Sequence, residues 1–402
     1  MANTLLTIDM ITREALRVLE NNLTFTKQCN REYDDQFAVS GAKIGDTLRI
    51  RKPARYTVRS GTALSVQDYT ETSVSLVLNN QKGVDISFTS KELTLSIDDF
   101  SKRVLGPAVA AVANQIDRDG LNLYWEIANA VGTPGTTPSA LLTYLQAGEK
   151  MDNEATPRDG QRAIEVNPAA QVAIVDALKG LFHSSTEIER QYEEGTMGMT
   201  AGFKWSMDQN VFAHTVGPLG GTPLVNGASQ TGTSLITDGW TAAAASRLKR
   251  GDVFTIAGVN AVNPQHRQNT GQLRQFVVTA DVSSDGSGNA TIPIYPAMTA
   301  TGAYQTVTAL AADNAAITVL GAANTVTPQN MAHHRDAFVL GCADLVLPGG
   351  VDMAARVSSR QLGISLRMVR AFDINNDAFP CRLDVLYGWK AVYPELACRI
   401  AG

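Results

Sequence analysis

Charge is scarce in this 402-residue sequence, and scarcest in its middle. Asp, Glu, Lys and Arg make up 18% of the chain, yet residues 215–328 carry only ten of them in 114 positions. The 34 basic residues do not outnumber the 39 acidic ones, and the formal charge is -5. A mildly acidic chain has no positive footprint for gripping phosphate backbones, which argues against sequence-specific nucleic-acid binding. Cysteine is rare as well. Cys29, Cys342, Cys381 and Cys398 lie far apart with no CxxC spacing, so neither a zinc site nor a disulfide framework is indicated, and buried thiols are expected. No apolar run reaches the roughly 18 residues of a membrane-spanning helix. The opening MANTLLTIDMITREAL lacks the basic start and continuous apolar core of a signal peptide, and the cytoplasm is the expected compartment.

What is present is enough apolar material, 44%, to build two or three domains of ordinary size. Ile8, Ile11, Ala15, Leu16, Val18 and Leu19 recur at helical spacing within 7–21 and predict a short amphipathic N-terminal helix. Alternating segments at 47–51, 56–59 and 73–78, broken by Pro53 and Gly61, predict extended strands with a loop between them. Between 43 and 59, Lys43, Arg49, Arg51, Lys52, Arg55 and Arg59 face a single acid, Asp46. One account is an edge strand guarded by charge. The other is a projecting hairpin that lies across an acidic neighbour, with Glu187, Glu189, Glu193 and Glu194 of TEIERQYEEG as the matching surface. Each exposed pair would contribute only about 0–1 kcal/mol, so such contacts matter through repetition.

Ser96-Ile97-Asp98-Asp99 has the form of a helix start. From Pro107, the residues Val109, Val112, Ala113, Ile116, Leu123, Ile127 and Val131 make one stripe, with Gly120 on the same face. That stripe predicts a long spine helix running to the Gly132-Thr133-Pro134-Gly135 loop. Helices are expected at 138–146 and 169–182, a strand at 162–167, and a mobile loop across Gly195, Gly198 and Gly202. Within the charge-poor block, strands are expected at 234–237, 252–257, 275–282, 290–295, 305–310 and 316–320. Lys249-Arg250-Gly251-Asp252 and Asp285-Gly286-Ser287-Gly288-Asn289 supply turns. Short strands at this spacing predict a small β-barrel inserted into another domain.

The fragments that most resemble an active site do not form one. His333 and His334 are neighbours on an expected strand and face opposite ways, so they cannot share a metal with Asp336 or Cys342. Gly286-Ser287-Gly288 lacks the lysine and following helix of a phosphate loop. Asp34-Asp35 and Asp98-Asp99 are pairs without a pocket. No catalytic, cofactor or metal residues are assigned, and the chain is expected not to be an enzyme.

Three segments carry a resemblance: Leu248-Lys249-Arg250-Gly251-Asp252-Val253-Phe254-Thr255-Ile256-Ala257-Gly258-Val259; His334-Arg335-Asp336-Ala337-Phe338 through Leu345-Val346-Leu347-Pro348; and the closing stretch from Cys381 to Pro394 with Tyr387-Gly388. In this order, after an arm, a basic hairpin and a spine helix, they resemble the major capsid (coat) proteins of tailed phages. The closer likeness is to the coat-protein family of short-tailed phages that carries an insertion domain. The resemblance implies an α+β tailed-phage capsid fold with an inserted all-β barrel-like domain. Its expected divisions are an N-terminal arm (1–40), an extended loop (41–80), a peripheral domain with the spine helix (81–133), the first part of an axial domain (134–214), the barrel (215–328) and return strands (329–402).

It also implies a shell subunit that partners itself in hexamers and pentamers around double-stranded DNA. A scaffolding protein would engage the N-terminal arm region, and a portal protein would sit at one vertex. Family members can present an acidic loop from the inserted domain, whereas 217–233 here has no charge. Contacts around Pro218, Leu219, Pro223 and Leu224 are the expected substitute. A β-rich carbohydrate-binding or adhesive virion surface protein is the alternative reading.

Overall fold

The computed structural model describes residues 23–32, 47–68, 71–89, 106–178, 198–359 and 364–402. The N-terminal helix expected at 7–21, Lys43 and Asp46, the helix start at Ser96, and Glu187, Glu189, Glu193 and Glu194 lie outside them. The chain divides into two compact units. One comprises 1–50, 73–120 and 338–392; the other comprises 51–72, 121–337 and 393–402.

The first unit is built on the 14-residue strand Ala378–Ala391. Along one edge it pairs antiparallel with all of Asn80–Thr89, from Ala378↔Thr89 to Tyr387↔Asn80. Along the other it takes Ile364–Arg370 and Phe338–Ala343, and Met353–Ser359 completes the sheet. The two-residue period of a strand puts Cys381, Leu383, Val385 and Tyr387 on one face. There they pack against Val109, Val112, Ala113 and Ile116 of helix α1, Gly106–Leu121. The opposite face carries cross-strand ion pairs, Arg367 with Asp384 at 2.7 Å and Arg382 with Asp85 at 2.9 Å, each between directly opposed residues.

Gly120 matters at the end of α1. A Cβ there would lie 2.8 Å from both the Phe25 and the Trp389 rings, so the glycine leaves room for two aromatic side chains to approach the helix. One turn earlier, the buried Asp117 carboxylate accepts from the backbone N–H groups of Thr24 (2.7 Å) and Thr26 (3.0 Å) and from both hydroxyls. This ties the 3₁₀ turn Phe25–Gln28 to the helix.

The spine helix is shorter than its stripe predicts. It stops at Leu121, gives way to the 3₁₀ turn Asn122–Glu126, and the chain then becomes strand at Ala130–Gly132, parallel to Ala397–Ala401. Ile127 and Val131 are buried but in extended backbone. Apolar spacing of four residues fits either outcome, and the strand partner from the far end of the chain decides.

In the second unit, a mixed sheet runs in the order Ala130–Gly132, Ala397–Ala401, Val326–His334, Arg162–Val166, Phe203–Met207, Met199–Thr200. Helices α2, Leu141–Asn153, and α3, Pro168–Leu178, cover it with Tyr144, Ala147, Met151, Ala170 and Ile174. The described part of the expected mobile loop is an ordered hairpin. Thr200 pairs with Phe203 across Ala201 (φ 56°) and Gly202 (φ 80°), the two positive-φ positions that a tight hairpin turn demands.

The charge-poor block forms a barrel. Its strands run in the order Ile317–Val319, Val253–Val262, Asn269–Val278, Ala290–Met298, Gly232–Asp238, Leu224–Val225. A bridge from Leu224 to Ala316 returns the last strand to the first. Phe254, Ile256, Phe276, Val278, Ile292, Ile294 and Leu235 fill the interior. The strand expected at 305–310 is absent, and that segment makes a single bridge, Val307 to Ala261. Its hydroxyl-rich chain turns back on itself, with the Thr306 hydroxyl donating to Ala297 O at 2.7 Å. The chain enters and leaves the barrel through neighbouring strands, Ala213–Thr215 pairing with Val326–His334.

Replacing Asp117 by alanine is expected to destabilise the first unit by about 3 kcal/mol, because buried donors lose a charged acceptor. Urea unfolding followed by Trp389 fluorescence measures it, and a loss under about 1 kcal/mol would deny the carboxylate this role.

Candidate inter-subunit surface

Between the strands Thr47–Lys52 and Thr72–Val77 the chain makes a long excursion. The strand expected at 56–59 is not formed, since no other segment of the described chain offers it a ladder. The two limbs are pinned by one side chain: Gln67 Oε1 accepts from Thr57 N at 2.7 Å while Gln67 Nε2 donates to Thr57 O at 2.6 Å. An amide side chain thus imitates a pair of backbone hydrogen bonds. Beyond this point the excursion is exposed, and its apolar side chains are exposed with it: Val58 97%, Leu64 86%, Val66 80% and Tyr56 56%.

The basic residues near the base have partners inside the chain. Arg51 pairs with Glu71 at 3.4 Å, Lys52 Nζ sits 4.8 Å above the Tyr393 ring, and Arg55 reaches Glu395 at 3.2 Å. Arg59 donates to the carbonyl of Gly61 in its own turn, and Arg49 points to solvent from its strand. What the excursion offers outward is therefore chiefly apolar.

The uncharged segment 217–233 is not one free loop. Leu219 packs against the barrel core and is held from both sides by Arg247, whose carbonyl accepts from Leu219 N at 2.9 Å and whose guanidinium donates to Leu219 O at 3.0 Å. Pro223 O accepts from Ile317 N at 3.0 Å, and Leu224 belongs to the strand that closes the barrel. All three are half-buried, and the longest exposed run of the segment is 226–229, with Pro218, Gly221, Thr222, Thr231 and Thr233 exposed as well. Leu219, Pro223 and Leu224 thus take part in closing the barrel, each with part of its surface still exposed.

The neck of the barrel holds a buried polar cluster that the sequence did not reveal. Asp252 is 2% exposed and accepts from His214 Nε2 at 2.8 Å, from Lys249 N at 2.8 Å and from Gly217 N at 3.1 Å. The Tyr124 hydroxyl lies 3.2 Å from His214 Nδ1. Arg399 donates to Gly251 O at 2.8 Å, and burial pushes its guanidinium down to about 10. Only the Lys249-Arg250-Gly251-Asp252 turn was legible beforehand. Its partners come from three distant stretches of chain.

His333 and His334 occupy opposite faces of their strand. His334 Nε2 lies 3.1 Å from Asp159, whereas His333 is enclosed in the sheet and burial pushes its pKa down to about 4. Among the described residues no three His, Cys, Asp or Glu side chains converge as a metal site would require. The four cysteines are buried thiols, with Cys398 pushed up to about 12 by burial. No helix among the described residues is long and apolar enough to cross a membrane.

A family model described as P22 coat protein, gene protein 5, matches residues 1–402. This chain belongs to the P22 coat protein family. It is a bacteriophage coat protein, a structural subunit of the virion shell. Among solved structures, one from Mycobacterium phage Che8 aligns over 94% of this chain and 90% of its own, at 13% identity and a TM-score of 0.49. The mature capsid of bacteriophage PhiM1 aligns over 89% and 82%, at 11% identity and a TM-score of 0.41. The CUS-3 coat protein I-domain aligns over 26% of this chain and 98% of its own, at 26% identity and a TM-score of 0.20. No curated protein matches the sequence.

His333 gives the coat protein an acid-sensitive core. Its imidazole stays neutral in the folded state down to about pH 4, while the unfolded chain takes up the proton below about pH 6.5. Stability from this group is complete above pH 6.5 and falls as pH drops towards 4, by about 3 kcal/mol in all. Denaturant midpoints measured from pH 7 to pH 4 should show that decline in the wild type and a flatter profile in His333→Leu.

Proposed function

We propose that this coat protein assembles as hexamers and pentamers into an icosahedral shell around a double-stranded DNA genome, and that the 53–68 excursion reaches onto a neighbouring subunit. The observation that carries the reading is the exposure of Val58, Leu64 and Val66 at 80–97%. Fully burying one such side chain is worth about 1.5–3 kcal/mol, and this chain leaves three in water on one slender segment. Exposed apolar surface of that kind marks a site completed by a partner, and a second copy of the subunit is the partner a shell supplies. Weak contacts of this sort, multiplied by valency, hold a shell together while each remains reversible during assembly.

In this reading residues 1–40 form the arm region that engages a scaffolding protein, 41–80 the extended loop, 81–133 the peripheral domain, and 134–214 with 329–402 the axial domain and return strands. The barrel, 215–328, contacts neighbours through 226–229. A portal protein occupies one vertex, and assembly takes place in the host cytoplasm. With a formal charge of -5 the subunit confines the genome and does not grip it. The role is structural, with no catalytic step.

Val58→Asp combined with Leu64→Asp should leave the subunit's melting temperature essentially unchanged, because neither side chain is packed. The same variant should fail to close shells when co-expressed with its scaffold. Electron micrographs of uniform closed shells from it would remove the excursion from the interface.

A further inference from the structure

Three parts of the second unit converge on the base of the excursion, and two of them belong to the barrel. Arg267, on the turn between the barrel strands Val253–Val262 and Asn269–Val278, donates from Nη2 to the carbonyl of Tyr56 at 2.6 Å. Tyr304, on the loop after Ala290–Met298, lies under the Arg55 guanidinium at 5.9 Å. Glu395, on the 3₁₀ turn Pro394–Leu396, divides its two oxygens: Oε1 accepts from Arg55 at 3.2 Å and Oε2 accepts from the barrel's Tyr295 hydroxyl at 3.2 Å. These contacts end at Tyr56, where the exposed stretch begins.

The barrel has firm footing for such a task. Asn263 donates to Asn153 O at the end of α2 at 2.9 Å, while its own Oδ1 accepts from Gln265 N at 2.9 Å to shape the turn that carries Arg267. Arg274 on the next strand bonds to Glu154. Arg267 itself sits at φ 58°, a conformation held by its N–H bond to Asn263 O at 2.8 Å. A rigid body therefore grips a slender one near its root.

We propose that the inserted barrel braces the extended loop in cis, with Arg267, Tyr304 and Glu395 as positioning residues that set the direction in which 57–68 leaves the subunit. The inference rests on the reading of that loop as the segment that meets a neighbour. Its physical purpose is preorganisation: a loop held in one pose loses less freedom on docking than one that samples many. The contacts are few and half-exposed, so the brace biases the pose without locking it, and the loop base opens locally without global unfolding.

The test uses the full-length soluble subunit. Amide exchange at 54–58 and tryptic cleavage after Arg55 should both rise about tenfold in Arg267→Ala, the scale expected from losing one charge-assisted hydrogen bond. Barrel amides and the melting temperature should stay as in the wild type. Arg267→Lys, which can still donate to the Tyr56 carbonyl, should recover most of the protection, and Glu395→Gln should add to the effect of Arg267→Ala. In assembly reactions the braceless variant should give irregular or open shells. Unchanged exchange at 54–58 in the Arg267→Ala, Glu395→Gln double variant, with the barrel intact, overturns the proposal. Failure of the loop's contact with a neighbour would show separately, as normal shells from the Val58→Asp, Leu64→Asp variant, and would leave the exchange measurement on the subunit untouched.

Discussion

The carboxylate of Asp252 is the point on which the second unit turns. It is buried, and an unpaired charge there would be prohibitively costly. It is satisfied by the backbone N–H groups of Gly217 and Lys249 and by the imidazole of His214. Those donors belong to the strand that leads into the barrel, the start of the barrel, and the turn before the strand Val253–Val262. One anion thus fixes the spot where the chain departs from the mixed sheet. The pairing of Ala213–Thr215 with Val326–His334 fixes where it returns, and Arg399 brings in a strand of the mixed sheet through Gly251. A barrel joined by two adjacent strands alone could swing. With this buried cluster at its neck, together with Ala128, Ala130, Val253 and Val277 packed beside it, it has a defined pose on the mixed sheet.

That pose gives the rest of the second unit its meaning. The barrel's side reaches α2 through Asn263 and Arg274 and the loop base through Arg267 and Tyr304, while Tyr295 donates to the Glu395 carboxylate that holds Arg55. The first unit is organised differently. Its long strand Ala378–Ala391 is flanked by partners on both edges, and its two faces are committed, one to the apolar seat of α1 and the other to the ladder of Arg–Asp pairs.

Much of this was legible in the residues. Short segments between turn residues marked strands at 252–257 and 290–295, which the fold forms as Val253–Val262 and Ala290–Met298, and the drop in charge across 215–328 marked an inserted segment of different character. The opposed faces of His333 and His334 followed from strand geometry alone. The errors share one cause. The stripe that continued past Leu121 and the alternation at 56–59 each had correct chemistry, but local pattern does not name a partner. Val131 became strand because Ala397–Ala401 lies beside it, and Val58 stayed out of any ladder because no segment among the described residues pairs with it.

The sequence by itself determined the inserted barrel and the α+β character of its surroundings, because periodicity, turn chemistry and charge density are local quantities. The tertiary structure alone decided which charges are spent inside the chain. Arg55 could have reached outward on composition, and it is turned inward because Glu395, from the last ten residues, stands 3.2 Å away. Pair energies of charged groups depend on distance and burial, and neither is written in the order of the residues.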